Sequence, residues 1–230
     1  MSMPGKEIGK AAVGSMLLGM VQTNCYFVYK EDGKDHEYGS KEKTPVVFFD
    51  PADNGDRIYE ALTDRGFVVD AIYLTHGHFD HMAGAKKLKE LSGAKIYACE
   101  KERHVFGDPY INLSVPFTGW EITIEPDEYL KDGAICEAAG FKFKLIETPG
   151  HTVGSCCYYF EEDNILICGD TIFEGSVGRT DFPEGSAATL VRSIQERIFT
   201  LPDDTILLPG HGSDTTVGFE KDHNPYTRLF

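Results

Sequence analysis

Apolar residues in this chain come in short runs broken by glycine, proline and charged clusters, and the spacing within each run predicts an element. Ala12 to Met20 and Asn24 to Tyr29 read as paired strands, and Thr44 to Asp50 reads as a third. Asn54 then stands where a helix cap belongs, with Ile58, Ala61 and Leu62 on one face of a helix that stops near Gly66. Val68 to Leu74 is a largely apolar run, the pattern of a buried strand. Ala85, Leu88 and Leu91 recur at helical spacing while Lys86, Lys87, Lys89 and Glu90 face outward, up to Gly93. A strand over Lys95 to Ala98 and a short helix from Glu100 follow, then an irregular stretch, Phe106 to Glu128, in which periodicity predicts no element. Strands resume at Phe141 to Glu147, Ser155 to Phe160, Asn164 to Cys168 and Thr205 to Leu208, and Ser186 caps a helix striped by Leu190, Ile194 and Ile198. Strands interleaved with helices in two segments, without repeats or low-complexity linkers, predict two sheets sandwiched by helices in one domain over residues 1–230.

Composition adds bounds. A chain of 230 residues, 41% hydrophobic and 12% aromatic, can bury a large core. Its formal charge of -15 argues against nucleic acid as a partner, because phosphate-backbone binding needs clustered Lys and Arg. No run approaches the ~20 apolar residues of a membrane-spanning helix. Lys6 and Lys10 ahead of Ala11 to Val21 superficially resemble a signal peptide, but Glu7 and the glycines weaken that pattern and a first strand is preferred. Cysteines 25, 99, 136, 156, 157 and 168 show neither CxxC spacing nor the density of a disulfide scaffold, which predicts reduced, mostly strand-borne thiols in a cytoplasmic protein. The charged stretch from Glu31 to Lys43 reads as a solvated loop or hairpin tip.

The candidate chemistry begins directly after the Val68 to Leu74 strand. Thr75-His76-Gly77-His78-Phe79-Asp80-His81 packs three histidines and a carboxylate into one loop, a density hard to justify as packing because buried imidazoles need partners. Neutral imidazole and carboxylate suit zinc, iron or manganese. One loop cannot enclose an ion, so further ligands should end later strands. They do: His151 follows one strand, Asp170 another and His211 a third, each bordered by glycine or proline. Five histidines and two aspartates are enough for two metals, each with an open position for water. In an extended loop alternate residues point the same way, so His76 and His78 can serve one ion while Asp80 and His81, starting a helix, turn to another.

These residues resemble the metallo-β-lactamase superfamily, through the HxHxDH run from His76 to His81 with His151, Asp170 and His211. Closer matching favours its glyoxalase II-like, or hydroxyacylglutathione hydrolase-like, members. Thr148 to Ser155 looks like their TPGHTxGS motif, Gly169 to Phe173 like GDxxF, and Gly178 to Phe182 like GRTDF. The ending Pro209-Gly210-His211-Gly212, then Thr215-Thr216, Glu220 and Asn224-Pro225, is similar to the short single-domain branch. The resemblance implies an α/β fold, an αββα sandwich of two mixed sheets with two divalent ions at one edge, zinc first and iron or manganese as alternatives. It assigns His76, His78 and His151 to the first ion, Asp80, His81 and His211 to the second, and Asp170 to a bridge, with Asp80 and Asp170 as the catalytic carboxylates.

The chemistry implied is hydrolysis of a small-molecule thioester, such as an S-2-hydroxyacylglutathione, by a hydroxide generated at the metals at roughly neutral pH. A thiolate, with a conjugate-acid pKa near roughly 8.5, leaves without a strong general acid. The chain ends at Phe230, leaving no room for the C-terminal helical domain with which classical glyoxalase II binds glutathione. The alternative is a persulfide dioxygenase of the same superfamily, which uses one iron held by two histidines and an aspartate; the PGHG segment around His211 favours the hydrolase.

Supporting residues divide between site and scaffold. Asp50, ending a strand, is either an acceptor that orients a ligand histidine or a turn aspartate. Arg179 is a candidate for binding a substrate carboxylate, against which an internal salt bridge to Asp181 is preferred. Cys168, Cys156 and Cys157 read as strand packing, and His36, His104 and His223, lacking ligand companions, as surface or structural residues.

Overall fold

The computed structural model describes residues 10–31, 36–39, 41 and 43–228, so Lys6 and Glu7, part of the 31–43 stretch and Phe230 lie outside the described residues. The chain opens with β1 (Ala11–Leu18), β2 (Thr23–Lys30) and β3 (Thr44–Phe49), then α1 (Gly55–Thr63), β4 (Phe67–Tyr73), α2 (Phe79–Met82) and α3 (Ala85–Ser92). It continues through β5 (Lys95–Cys99), a 3-10 turn at Glu100–Glu102, α4 (Arg103–Gly107), α5 (Ser114–Thr118), β6 (Glu128–Leu130), β7 (Ile135–Ala138), β8 (Phe141–Glu147) and β9 (Cys156–Phe160). The last part holds β10 (Ile165–Gly169), β11 (Ile172–Phe173), β12 (Ser176–Val177), α6 (Ala187–Ser193), β13 (Ile206–Pro209), β14 (Thr215–Thr216) and α7 (Val217–His223).

Two six-stranded sheets form the centre, ordered β1-β2-β3-β4-β5-β6 and β14-β13-β10-β9-β8-β7. Both are mixed: β3 to β6 run parallel and β10 pairs parallel with β13, whereas the other pairs are antiparallel. Side-chain alternation along each strand then makes three apolar layers. Phe48, Ile72 and Ile96 face α1 and α3, with Ile58, Leu62 and Leu88. Val47, Phe49, Tyr73, Phe143 and Tyr158 fill the space between the sheets. Leu166, Cys168 and Leu207 meet the expected stripe, of which Leu190 lies on α6 and Ile194 and Ile198 on the π-helical turn Ile194–Ile198 that continues it. This is the expected αββα sandwich. Cys156 belongs to the middle layer and Cys157 to the outer one, so neighbouring thiols serve different cores.

Several local expectations need correction. Asn54 occupies the α1 cap position in a left-handed conformation but its side chain caps nothing, whereas Ser186 Oγ does accept the Thr189 N–H at 3.3 Å. Leu91, expected on the buried stripe of α3, is 39% exposed. The stretch 106–128 contains α5, and two short strands, β6 and β7, follow where no element was expected. Among the described residues no helix is long and apolar enough to cross a membrane.

Candidate metal centre

Every predicted ligand sits on a loop leaving the same edge of the two sheets or on the short helix that follows one. β4 delivers His76 and His78, with Asp80 and His81 in the first turn of α2. β8, β10 and β13 deliver His151, Asp170 and His211. Bonds across the sheets fix these ends relative to one another: Tyr158 OH donates to the Leu74 carbonyl at 2.8 Å, and the Cys156 N–H donates to that of Thr75 at 2.9 Å. Asn24 secures the His211 loop, its Nδ2 donating to the carbonyls of Pro209 (3.0 Å) and Gly212 (2.9 Å). Gly210 is required beside His211, because a Cβ there would strike Asp170 Oδ1 and the His81 ring.

The seven side chains converge. Three overlapping trios, His76 with His78 and His151, His76 with His81 and Asp170, and Asp80 with His81 and His211, each present donor atoms within 4.8 Å of one another. Asp170 lies in the middle, with Oδ1 3.3 Å from His81 Nε2 and Oδ2 3.5 Å from His151 Nε2 and 3.6 Å from His211 Nε2. His211 and Asp80 approach to 3.4 Å, and His78 Nδ1 and His151 Nε2 to 2.9 Å. Four polar atoms of this cluster, Nε2 of His76, His78 and His81 and Oδ1 of Asp170, are buried without a hydrogen-bond partner. The His81–Asp170 approach is close enough for charge attraction without being an aligned hydrogen bond. Buried polar atoms left unpaired in one cluster cost free energy that a divalent cation would recover. The donor set therefore fits such ions.

Surrounding groups set which nitrogen of three of the rings faces inward. Asp50 accepts the Thr75 N–H at 2.8 Å and the Thr75 Oγ1–H at 2.7 Å, and lies 3.0 Å from His81 Nδ1. Thr75 Oγ1, its proton given to Asp50, lies 3.1 Å from His76 Nδ1 and accepts from it. His151 Nδ1 donates to the Arg179 carbonyl at 2.6 Å. Nδ1 of three rings is thus committed outward, leaving Nε2 for the centre. Thr23, fully buried, has its Oγ1 3.3 Å from Asp80 Oδ2.

Charge divides the cluster into two halves. Burial, then the neighbouring imidazoles, pushes His76 well below its ordinary pKa. Burial also takes His78 down to about 3 and lowers His151, so these rings keep bare lone pairs near neutrality. On the other side burial opposes protonation of His81, but Asp170, Asp80 and Asp50 outweigh it and hold the ring well above 6.5. Burial likewise opposes, and Asp80 and Asp170 raise, His211. Burial would raise both carboxyls, yet the facing histidines keep Asp80 and Asp170 low and ionised.

Two further residues bear on the site. Glu102, fully buried, accepts the N–H of Gly77 at 2.9 Å on Oε1 and that of Gly154 at 2.7 Å on Oε2, joining the loops that carry His76, His78 and His151. A Cβ on Gly154 would collide with the Glu102 backbone and carboxylate, so that contact demands glycine. Nothing in the local sequence singled out Glu102; its only signal was a charged residue in a short helix between two motif loops. Arg179 makes the preferred salt bridge, with Nε and Nη2 donating to Asp181 at 2.9 and 2.8 Å, and stacks over Phe182 at 4.1 Å. Its carbonyl, not its charge, touches a ligand candidate, His151. His36 stacks on Phe67, His104 pairs with Glu184 and His223 bonds the Phe219 carbonyl, all outside the cluster.

A family model described as the metallo-beta-lactamase superfamily matches residues 18–211, which span every ligand candidate. The chain belongs to the metallo-beta-lactamase superfamily. It is 34% identical over 216 residues to "Probable metallo-hydrolase YqgX" of Bacillus subtilis, covering 94% of this chain and 97% of that one. It is 31% identical over 212 residues to "Hydroxyacylglutathione hydrolase GloC" of Haemophilus influenzae, covering 89% and 92%. Among solved structures, the BLEG-1 B3 metallo-beta-lactamase superposes with a TM-score of 0.85 at 36% identity, covering 94% of this chain and 100% of that one. The site geometry and the superfamily agree on a His/Asp centre able to hold two metal ions.

Proposed function

We propose that this protein is a dinuclear metal-dependent hydrolase that cleaves a small thioester in the manner of the glyoxalase II-like enzymes. The observation that carries the reading is the set of buried, unpaired donors on His76, His78, His81 and Asp170, flanked by His151, Asp80 and His211. His76, His78 and His151 would hold one ion, Asp80, His81 and His211 the other, and Asp170 both. Zinc is the first choice, and iron or manganese suits the same donors. Two such ions would bring the pKa of water to about 7 and polarise a carbonyl. The similarity to the Haemophilus influenzae protein supports a thioester as the substrate class.

The chain's own groups then act by position. Asp50 and the Arg179 carbonyl orient His81 and His151, and Thr75 orients His76. Asp80 and Asp170, with side chains 13% and 11% exposed, are the carboxylates that reach the open side. There they accept a hydrogen bond from the attacking water and align it with the carbonyl carbon. A C–O bond forms as the water gives up a proton, which passes by way of these carboxylates to solvent; the C–S bond breaks and the sulfur departs as thiolate, so no protonating residue is needed at the leaving atom.

Purified protein should contain close to two metal ions per chain, and His211→Ala should empty one position. Metal-loaded protein is then given S-lactoylglutathione with thiol release followed, and glutathione persulfide with oxygen consumption followed. Thiol release without oxygen uptake supports the hydrolase. Oxygen uptake without thiol release, with one iron per chain indifferent to His211→Ala, would replace it by a mononuclear persulfide dioxygenase.

A further inference from the structure

Above the metal centre lies a cavity of about 200 Å³ whose floor is formed by ligand candidates and whose wall is apolar. Val21 comes from the β1–β2 turn, Phe79 from α2, Leu113 and Phe117 from the segment around α5, Phe173 from β11 and Phe182 from the loop after Arg179. The rings touch one another: Phe117 stands 5.9 Å from Phe79 and 6.0 Å from Phe182, and Phe182 lies 5.6 Å from the His78 ring. Among the described residues that line the cavity, the only cation is Arg179, and its guanidinium is already bonded twice to Asp181 and laid on Phe182. Apart from the ligand candidates and Arg179, no lining side chain among the described residues offers a hydrogen bond.

We infer that the substrate is an uncharged thioester with an apolar group, aromatic or branched aliphatic, beside its carbonyl, and not a charged glutathione conjugate. The inference rests on the hydrolytic reading of the centre and deepens it. An apolar group entering the wall gains by leaving water, whereas the two carboxylates and the ammonium of glutathione would meet no free partner among the lining side chains and would lose hydration. The chain's charge of -15 also disfavours the approach of an anion over long range. Only the reacting carbonyl needs the polar floor.

Four thioesters separate the variables: phenylacetyl and lactoyl groups, each on N-acetylcysteamine and on glutathione. With metal-loaded protein, phenylacetyl-N-acetylcysteamine should exceed S-lactoylglutathione roughly 30-fold in kcat/KM, mainly through KM. Phe117, 46% exposed at the rim, can be changed with little risk to folding. Phe117→Ala should cut kcat/KM for the phenylacetyl ester several-fold more than for the lactoyl one, with metal content unchanged. Binding without turnover is read by calorimetry on metal-free protein, using S-benzyl-N-acetylcysteamine against S-benzylglutathione; the uncharged thioether should bind at least about tenfold more tightly. Turnover with S-lactoylglutathione preferred, or no difference between the thioethers, overturns this inference and leaves the hydrolase standing. No turnover of any thioester overturns both.

Discussion

Asp50 shows how much one side chain can organise. Directly after β3, with φ 49°, it accepts both donors of Thr75 and the Nδ1 proton of His81, and Thr75 passes the constraint to His76. One carboxylate therefore orients a ligand of each proposed ion. Asp50→Asn keeps a residue that tolerates the left-handed backbone while replacing one acceptor oxygen by a donor. Metal affinity should fall about 10- to 100-fold, measured by competition with a chromogenic chelator, and the folded state should lose about 1–3 kcal/mol in denaturant titration. Unchanged affinity would reduce Asp50 to a turn residue. The sequence placed Asp50 at a strand end and left two roles open; the structure shows that it fills both positions, turn and acceptor. What the sequence could not show was the relay through Thr75, because a hydroxyl's partner depends on where β3 and β4 register.

The elements around the site were legible to the extent that periodicity carries them. Strands β4, β8, β10 and β13, with their glycine- and proline-bounded ends, announced the four loops of the centre. Stretch 106–128 did not, because its helices are single turns secured by polar side chains: Asn112 accepts the Ser114 N–H at 2.9 Å and donates to the Ile122 carbonyl at 2.8 Å, and Asp108 accepts the N–H groups of Tyr110 and Ile111. Such bonds leave no apolar period to read. The 3-10 turn before α4 hid a second device, Glu102, which clamps two ligand loops whose sequence positions lie far apart. Glu102→Ala would orphan two buried N–H groups, a cost of about 2–6 kcal/mol. Glu102→Gln keeps one acceptor oxygen and should recover about half. The clamped loops carry His76, His78 and His151 but not His211, so both variants should lose the ion of that trio first. Metal analysis against a titrated chelator reads the order of loss; equal loss of both ions would make Glu102 a general stabiliser only.

At the scale of the molecule, four layers bring seven ligand candidates to one edge, and the charge within that edge is uneven. His76, His78 and His151 are held below their ordinary pKa, chiefly by burial, so protons compete little for their lone pairs down to mildly acidic pH. His81 and His211 are held above 6.5, against burial, by Asp170 and Asp80, with Asp50 adding its charge at His81. A ring whose pKa is raised must release its proton before it can ligate, and that release becomes harder as pH falls through the raised value. The expected order follows from the sign. Acidified from about pH 8 toward 6, the protein should lose the ion shared by Asp80, His81 and His211 while retaining the other. Metal binding should release protons, seen as a binding heat that varies with the ionisation enthalpy of the buffer. Each ion should raise the melting temperature by about 5–10 °C at about 100 times its Kd, and as pH falls the increment of the second ion alone should shrink. Parallel loss of both ions on acidification would mean that bridging Asp170 couples the two halves more strongly than the split in histidine charge separates them.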